Sequence, residues 1–408
     1  ARPQPSVAKM RLGAAATIIL VPFASFIGHE VWQVTSNLRF PVAPSDPTAT
    51  MRAAVYGIHG KTKDVLTMDE ARAQPQQPAA PGFIVIRVIA AALNPVDFKQ
   101  IRNSQPGFLV PKPRIAGFDV SGVVLSAGEG TDFKVGEAVY GMLPLMGSAW
   151  GSLAEVTAAD ARCFARAPTT IPLEAASALP LVGLTVMQVF EQAGLFAGEK
   201  RKEQTMLVQA AAGGVGSFAV QFARHVLGFG RVLGTCSARN AEYVRELGAT
   251  ATVDYTHEPF EEAVRAIGGV DAVLDPMAWS YMDRTLDPAN GVLRPGANYC
   301  HILSTDWQEN SAEASLVTVL QGPYQKWRSR FLKLFAPDSP QIFTTPVQPD
   351  GAGLARLARI VDDGLVRPVI GRYFDGLGSA VEAFEYLETG HARGKVVIRV
   401  SGVQETSA

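Results

Sequence analysis

Met206-Leu207-Val208-Gln209-Ala210-Ala211-Ala212-Gly213-Gly214-Val215-Gly216 decides the architecture of this 408-residue chain. An apolar run of strand character over 206–210 enters a glycine-rich turn, and 217–226 continues with helical spacing. Strand, tight turn and helix in that order make the phosphate-cradling unit of a dinucleotide site. Gly213 and Gly214 let the backbone approach a pyrophosphate, Gly216 lets helix and strand pack closely, and the helix N-terminus turns free N–H groups toward the anion. The residues expected to hold the nucleotide here are Ala212, Gly213, Gly214, Val215 and Gly216, with Ala211 in place of the usual first glycine.

Working outward, the next strand, 232–236, runs into Ser237-Ala238-Arg239 without a carboxylate. Sites for NAD place an acid about 20 residues after the first glycine to hold the ribose hydroxyls, whereas a 2′-phosphate needs that acid gone and a cation nearby. Ser237 and Arg239 meet the second condition and Tyr255, after the third strand, adds a contact, so the expected cofactor is NADPH. Further strands are predicted over 250–255, 271–275, 297–303 and 342–347, separated by helical stretches. Six such strands make a doubly wound parallel sheet. Toward the N-terminus the texture differs: 51–56, 83–92 and 122–126 are short β-rich runs between Gly and Pro clusters, as in an irregular β-barrel. Beyond the sheet, Leu354, Leu357, Ile360 and Val361 recur at helical spacing before Gly364, and 395–400 reads as a last strand returning to the first domain.

With 47% hydrophobic and 18% charged residues, the chain fills two sizeable cores, and its net charge of −1 supplies no field for nucleic acid. Cys163, Cys236 and Cys300 are too scattered for a disulfide framework or a zinc knuckle. The first residues carry Arg2, Lys9 and Arg11 with no acid, which suggests a processed precursor. Residues 12–28 are 17 uncharged, mostly apolar residues, the lower edge of a membrane span, and a Pro-rich linker with Pro41, Pro44 and Pro47 follows to about residue 50.

Several further motifs resemble the medium-chain dehydrogenase/reductase superfamily, in its zinc-independent quinone oxidoreductase branch. They are Ala92-Leu93-Asn94-Pro95-Val96-Asp97, Ala116-Gly117-Phe118-Asp119-Val120-Ser121-Gly122, Phe133-Lys134-Val135-Gly136, Val139-Tyr140-Gly141, Gly183-Leu184-Thr185 and Gly390-His391-Ala392-Arg393-Gly394-Lys395. The resemblance, which covers Met51 to the C-terminus, implies an α/β chain: a GroES-like β-barrel catalytic domain (51–180 and 349–408) and a doubly wound Rossmann domain for NADPH (181–348); residues 1–50 are read from their composition as an N-terminal extension with a transmembrane-like helix over 12–28. In zinc alcohol dehydrogenases of the superfamily a Cys and a His bind the metal where Asn94 and Phe118 stand here, and the cysteine-rich lobe is absent, so no metal site is expected. Thr235-Cys236-Ser237, Leu247-Gly248-Ala249 and Arg367-Pro368-Val369-Ile370 resemble the mitochondrial reticulon-interacting oxidoreductases, which implies a mitochondrial inner-membrane location. Two departures bear on the substrate: Asp275-Pro276-Met277 where relatives carry glycines after the aspartate, and Met187 where many carry an aromatic residue.

Two functions are compatible with these residues. In the first, NADPH reduces a quinone or an α,β-unsaturated carbonyl, and a neutral donor stabilises the acceptor oxygen as charge develops on it. Asn94 is the candidate donor, with Tyr140 second; the competing role for Asn94 is to pin the loop before Pro95. Asp97 reads as a cap for the following helical turn, and Lys395 is expected to reach toward the cofactor. In the second, the chain is an accessory subunit of a mitochondrial respiratory complex that keeps NADPH as a structural ligand with little turnover. The stretch 324–335, with Trp327, Phe331, Leu334 and Phe335 on one face and basic residues around it, is suited to packing on its own domain, lining the cleft or resting on a membrane.

Overall fold

The computed structural model describes residues 43–102, 112–196, 201–277, 279–302, 324, 327–344 and 346–400. The apolar segment 12–28 lies outside them, and no helix among the described residues is long and apolar enough to cross a membrane.

Sixteen strands fall into three sheets among these residues. In chain order they are β1 (Ser45–Tyr56), β2 (Thr67–Pro75), β3 (Phe83–Leu93), β4 (Arg114–Ile115), β5 (Asp119–Ala127), β6 (Ala138–Met142), β7 (Val156–Asp160), β8 (Phe164–Arg166), β9 (Thr205–Val208), β10 (Arg231–Cys236), β11 (Ala251–Asp254), β12 (Val270–Asp275), β13 (Leu293–His301), β14 (Gln341–Thr344), β15 (Ile370–Asp375) and β16 (Lys395–Arg399). The helices that position the site are α1 (Pro95–Ile101), α2 (Pro180–Gln192), α3 (Gly214–Gln221) and α4 (Gly351–Asp362).

The sheet β11-β10-β9-β12-β13-β14 is parallel throughout its described pairings. Its central strands are buried on both faces, which is why they read as short apolar runs with no alternation. Strand order reverses on either side of β9, so the crevice beside β9 and β12, at their carboxyl ends, is where such a sheet takes a ligand. The barrel half is a seven-stranded sheet in which β16 pairs with β3 antiparallel, alongside a three-stranded sheet β2-β1-β4. The last strand therefore does return to the first half of the chain.

β1 begins at Ser45, so 45–50 is strand and not linker. Its pairing with β2 starts at Ser45↔Pro75, and Gln74 Nε2 donates to Thr50 O at 2.7 Å. Pro47 is accommodated where the register shifts between Asp46 and Thr50, a place where no ladder N–H is needed. Trp150 Nε1 donates to Ala43 O at 2.8 Å and ties the entering chain to the core beneath.

α2, α3 and α4 share one core with Phe118, Tyr140 and Met142 of the barrel. Gly183 eases the approach of α2 to α4: a Cβ there would lie 2.4 Å from Leu357 Cδ2, which would have to turn aside. Leu354, Leu357 and Val361 are the buried face of α4, as their spacing predicts, and Gly364, at φ 73°, follows it in the left-handed region. Met187 is buried in this core, so its identity affects packing and does not line an open cleft.

Candidate active site

The glycine-rich turn is built by local constraints. Ala210 takes a positive φ of 49° after Gln209, and its N–H is held by Thr235 Oγ1 at 3.0 Å. Ala211 N–H donates to Thr235 O at 2.9 Å, and Thr235 Oγ1 donates to Gln209 Oε1 at 2.7 Å, so β10 fixes the turn from the side. A Cβ on Gly216 would stand 2.2 Å from Ala210 O and 2.7 Å from Ala211 Cα, which explains why α3 needs glycine at its third position. Gly213 is different: among the described residues, the one atom within 4 Å of a Cβ there is Ala210 O, at 3.4 Å, so its outer side is open among them. Ala212 to Val215 are half-buried, with the N-terminus of α3 opening at the same place.

Ala211 is accommodated by a compensating glycine on the neighbouring strand. A Cβ on Gly234 would lie 2.7 Å from Ala211 Cβ and 2.8 Å from Val244 Cγ1. The missing first glycine is thus balanced by a second position, one that the turn itself does not reveal.

At the end of β10, Ser237 is half-buried and Arg239 exposed. Asn240 Nδ2 donates to Ser237 Oγ at 3.3 Å. Arg393, from the segment before β16, reaches the same loop: its Nε and Nη2 donate to Asn240 Oδ1 at 3.1 and 3.0 Å, and its guanidinium lies 4.9 Å from the centre of the Tyr243 ring. Asn240 thus links Ser237 to Arg393, and Arg393 also donates to Arg239 O at 3.4 Å, so the loop after β10 is tied to the segment before β16. Arg393 escaped the sequence reading, although its motif was quoted, because the contact spans more than 150 residues. Tyr255 is 51% exposed just after β11.

Lys395 meets the turn from the barrel side. Its Cδ is 3.1 Å from where a Cβ on Gly214 would be, and Gly394 N–H donates to Ala212 O at 2.9 Å. Its Nζ donates to Asn94 Oδ1 and, at 3.0 Å, to Asp119 Oδ2. Asn94 Nδ2 donates to Asp119 Oδ2 at 2.9 Å and to Ala92 O at 3.4 Å. Leu181 N–H, in the first turn of α2, completes the set on Asp119 Oδ1 at 2.8 Å. Burial pushes the Asp119 carboxyl up, and the Lys395 ammonium with the Asn94 and Leu181 N–H groups pulls it back. Asn94, Asp119 and Lys395 form a buried polar cluster that joins the barrel to the nucleotide half.

This arrangement assigns both candidate donors to internal duties. The Asn94 amide is committed on its oxygen and its nitrogen, which is the pinning role and leaves no open donor. Tyr140 is fully buried and its hydroxyl donates to Leu354 O at 2.6 Å. Asp97 caps α1 as expected, its carboxylate accepting the Asn94 N–H. Burial among α1 and its neighbours raises the Asp97 carboxyl to about 8. Asp119 lay inside a quoted motif yet went unassigned, because its partners are 25, 62 and 276 residues away.

On the far side of the crevice, Asp275 closes β12. Tyr299 Oη donates to its Oδ2 at 2.6 Å and Met277 N–H to its Oδ1 at 2.7 Å, while His301 Nε2 lies 3.2 Å from Met277 O. Met277 is thus pinned from two strands. Burial raises the Asp275 carboxyl to about 6 and lowers the His301 imidazole to about 4. Among the described residues no group of three or more His, Cys, Asp or Glu is placed to hold a metal ion.

An alcohol dehydrogenase GroES-like domain family matches residues 80–169, and a zinc-binding dehydrogenase family matches 247–398. The NADPH-dependent alkenal/one oxidoreductase, chloroplastic, of Arabidopsis thaliana is 32% identical over 354 residues, covering 85% of this chain and 79% of that one. The mitochondrial NAD(P)H oxidoreductase RTN4IP1 of Danio rerio is 29% identical over 385 residues, covering 86% and 91%. The quinone oxidoreductase of Coxiella burnetii superposes with a TM-score of 0.67 at 26% identity, covering 86% of this chain and 100% of that one. A barrel and a doubly wound sheet joined through a glycine-rich turn, with these relatives over most of its length, place the chain in the medium-chain dehydrogenase/reductase superfamily, within its quinone oxidoreductase branch.

Proposed function

We propose that this oxidoreductase uses NADPH to reduce quinones or α,β-unsaturated carbonyls. The observation that carries the reading is the open turn at Gly213, with Ser237, Arg239 and Arg393 gathered at the end of β10 and no carboxylate among 234–240. Backbone N–H groups at 212–216 would hold the pyrophosphate, and the two guanidinium groups a 2′-phosphate. When bound, the reduced nicotinamide supplies a hydride. The chain's own part is positioning: Asn94, Asp119 and Lys395 lock the barrel against the turn, and the Asp275–Tyr299 pair holds Met277 at the rim. A relative named as an alkenal/one oxidoreductase supports the substrate class. The division into 51–180 with 349–408, and 181–348, belongs to the same proposal.

A mitochondrial inner-membrane location is part of this reading too. The apolar run 12–28 and the mitochondrial relative support it, and the chloroplastic relative weighs the other way. A second reading, an accessory subunit of a membrane complex that keeps NADPH as a structural ligand, is favoured by one observation: neither Asn94 nor Tyr140 has a donor left for an acceptor.

The test is to titrate the full chain with NADPH and NADH, then follow NADPH absorbance with quinones and enones. Oxidation of NADPH supports the reductase, and tight binding without oxidation supports the accessory subunit. Arg239→Ala is expected to weaken NADPH about tenfold while leaving NADH unchanged. Equal loss for both nucleotides sinks the 2′-phosphate assignment.

A further inference from the structure

Residues 327–333 form a helical stretch before β14 that is built inside out. Its buried residue is Ser329, whose Oγ accepts the Ile342 N–H at 3.2 Å. At about 100° per residue, Phe331, Leu334 and Phe335 fall on the side away from Ser329. The chain continues past the helix in a tight turn, Phe335 N–H donating to Leu332 O at 3.0 Å. Leu334 and Phe335 are 75% and 74% exposed, and the rings of Trp327, Phe331 and Phe335 form a ladder with centroids 5.3 and 5.2 Å apart. A surface helix ordinarily buries its apolar stripe and shows its serines.

Charge tells what covers that stripe. Arg328 and Arg330 are exposed on its two flanks, and the first acid after residue 324 is Asp338. An apolar face of Phe, Trp and Leu edged by basic side chains is the pattern of a helix lying in a lipid interface. A second copy of the chain fits less well, because a two-fold contact would set this cationic rim against itself. Gly296 N–H donates to Asp338 O at 2.7 Å, so the segment abuts the first residues of β13. That is the sheet end opposite the nucleotide crevice, which docking here leaves open.

We infer that 327–335 is a peripheral docking face for an anionic lipid surface. It is independent of the segment 12–28 and of which reaction the crevice performs. Phe331, Leu334 and Phe335 enter the acyl boundary while Arg328 and Arg330 stay among the headgroups.

The experiment uses the full chain carrying Phe335→Cys labelled with an environment-sensitive fluorophore; Cys163, Cys236 and Cys300 are buried and compete little. Vesicles are phosphatidylcholine alone or mixed with phosphatidylglycerol, with a lipid-borne quencher in parallel samples. Two basic groups at an anionic surface are expected to bring on the blue shift at roughly thirtyfold less lipid than neutral vesicles need. Adding Arg328→Glu and Arg330→Glu to the labelled chain is expected to abolish that advantage while NADPH affinity holds. Because the probe sits at residue 335, anchoring through 12–28 alone produces no quenching there. A probe that stays unquenched on anionic vesicles overturns the inference, and so does a shift that appears on raising protein concentration without lipid, which marks a protein interface.

Discussion

Gly213 and Gly216 sit three residues apart in one turn, and alanine at each should fail for a different reason. A Cβ at 216 meets two backbone groups, Ala210 O at 2.2 Å and Ala211 Cα at 2.7 Å, so neither can rotate aside and α3 must lift from β9. Overpacking of that kind costs about 1–3 kcal/mol. Alanine's better helix propensity returns at most about 1 kcal/mol, so the net is destabilising. For a cooperative unit of 150–250 residues, each kcal/mol lowers Tm by roughly 2–4 °C. At 213 the backbone is extended, φ −79° and ψ −179°, and the nearest atom to a new Cβ is 3.4 Å away, so alanine fits the folded chain. Its methyl instead occupies the side a pyrophosphate must approach. Gly213→Ala is therefore expected to keep its Tm within about 2 °C, since stability changes by under about 0.5 kcal/mol, and to weaken NADPH at least about tenfold. Gly216→Ala should lose several degrees by calorimetry, with nucleotide affinity falling as a consequence. Full NADPH affinity in a stable Gly213→Ala chain refutes the placement of the phosphates.

Two further perturbations probe the buried cluster. Lys395→Met leaves Asp119 without its cation in a fully buried site, and losing one partner of such a pair costs about 3–5 kcal/mol; urea unfolding of Lys395→Met against Asp119→Asn/Lys395→Met checks this, since the double variant should recover part of the loss. Asp97 has its carboxyl raised to about 8 from an unfolded value near 4, so the folded state holds a proton that the unfolded chain has released. Stability linked to it is full below pH 4 and falls as pH rises toward 8; Asp97→Asn should flatten that slope in a pH series of thermal melts, and an unchanged slope removes the assignment.

The parallel sheet and the glycine turn were legible because their constraints are local. Buried parallel strands declare themselves as apolar runs, and the turn at Gly216 answers to atoms six residues away. The duty of Tyr140 was hidden for the opposite reason: its hydroxyl's partner, Leu354, is 214 residues distant, and nothing in the flanking residues signals it. For Asn94 the pinning role stood open in the sequence, but the structure alone shows that its amide N–H groups go to Asp119 and Ala92 while Lys395, 301 residues away, takes its oxygen. Met187 had the same fate, since only the packing of α2 against α3 and α4 places it in the core. The early start of β1 was hidden by Pro44, Asp46 and Pro47, which read as linker wherever a bulge does not absorb them.

The pairing of β16 with β3 sets an order of events on the ribosome. Arg393, Gly394 and Lys395 finish the nucleotide turn, and they emerge only after the whole parallel sheet has been made. A nascent chain released before residue 395 carries the entire glycine signature and yet lacks the wall that closes it. The barrel likewise waits: β7 pairs with Phe83 to Arg87 of β3, but Ala90 to Leu93 lack a neighbour on that edge until the last strand arrives. Nucleotide capture is thus a late event in synthesis, and an exposed β3 edge is the interval's liability to self-association.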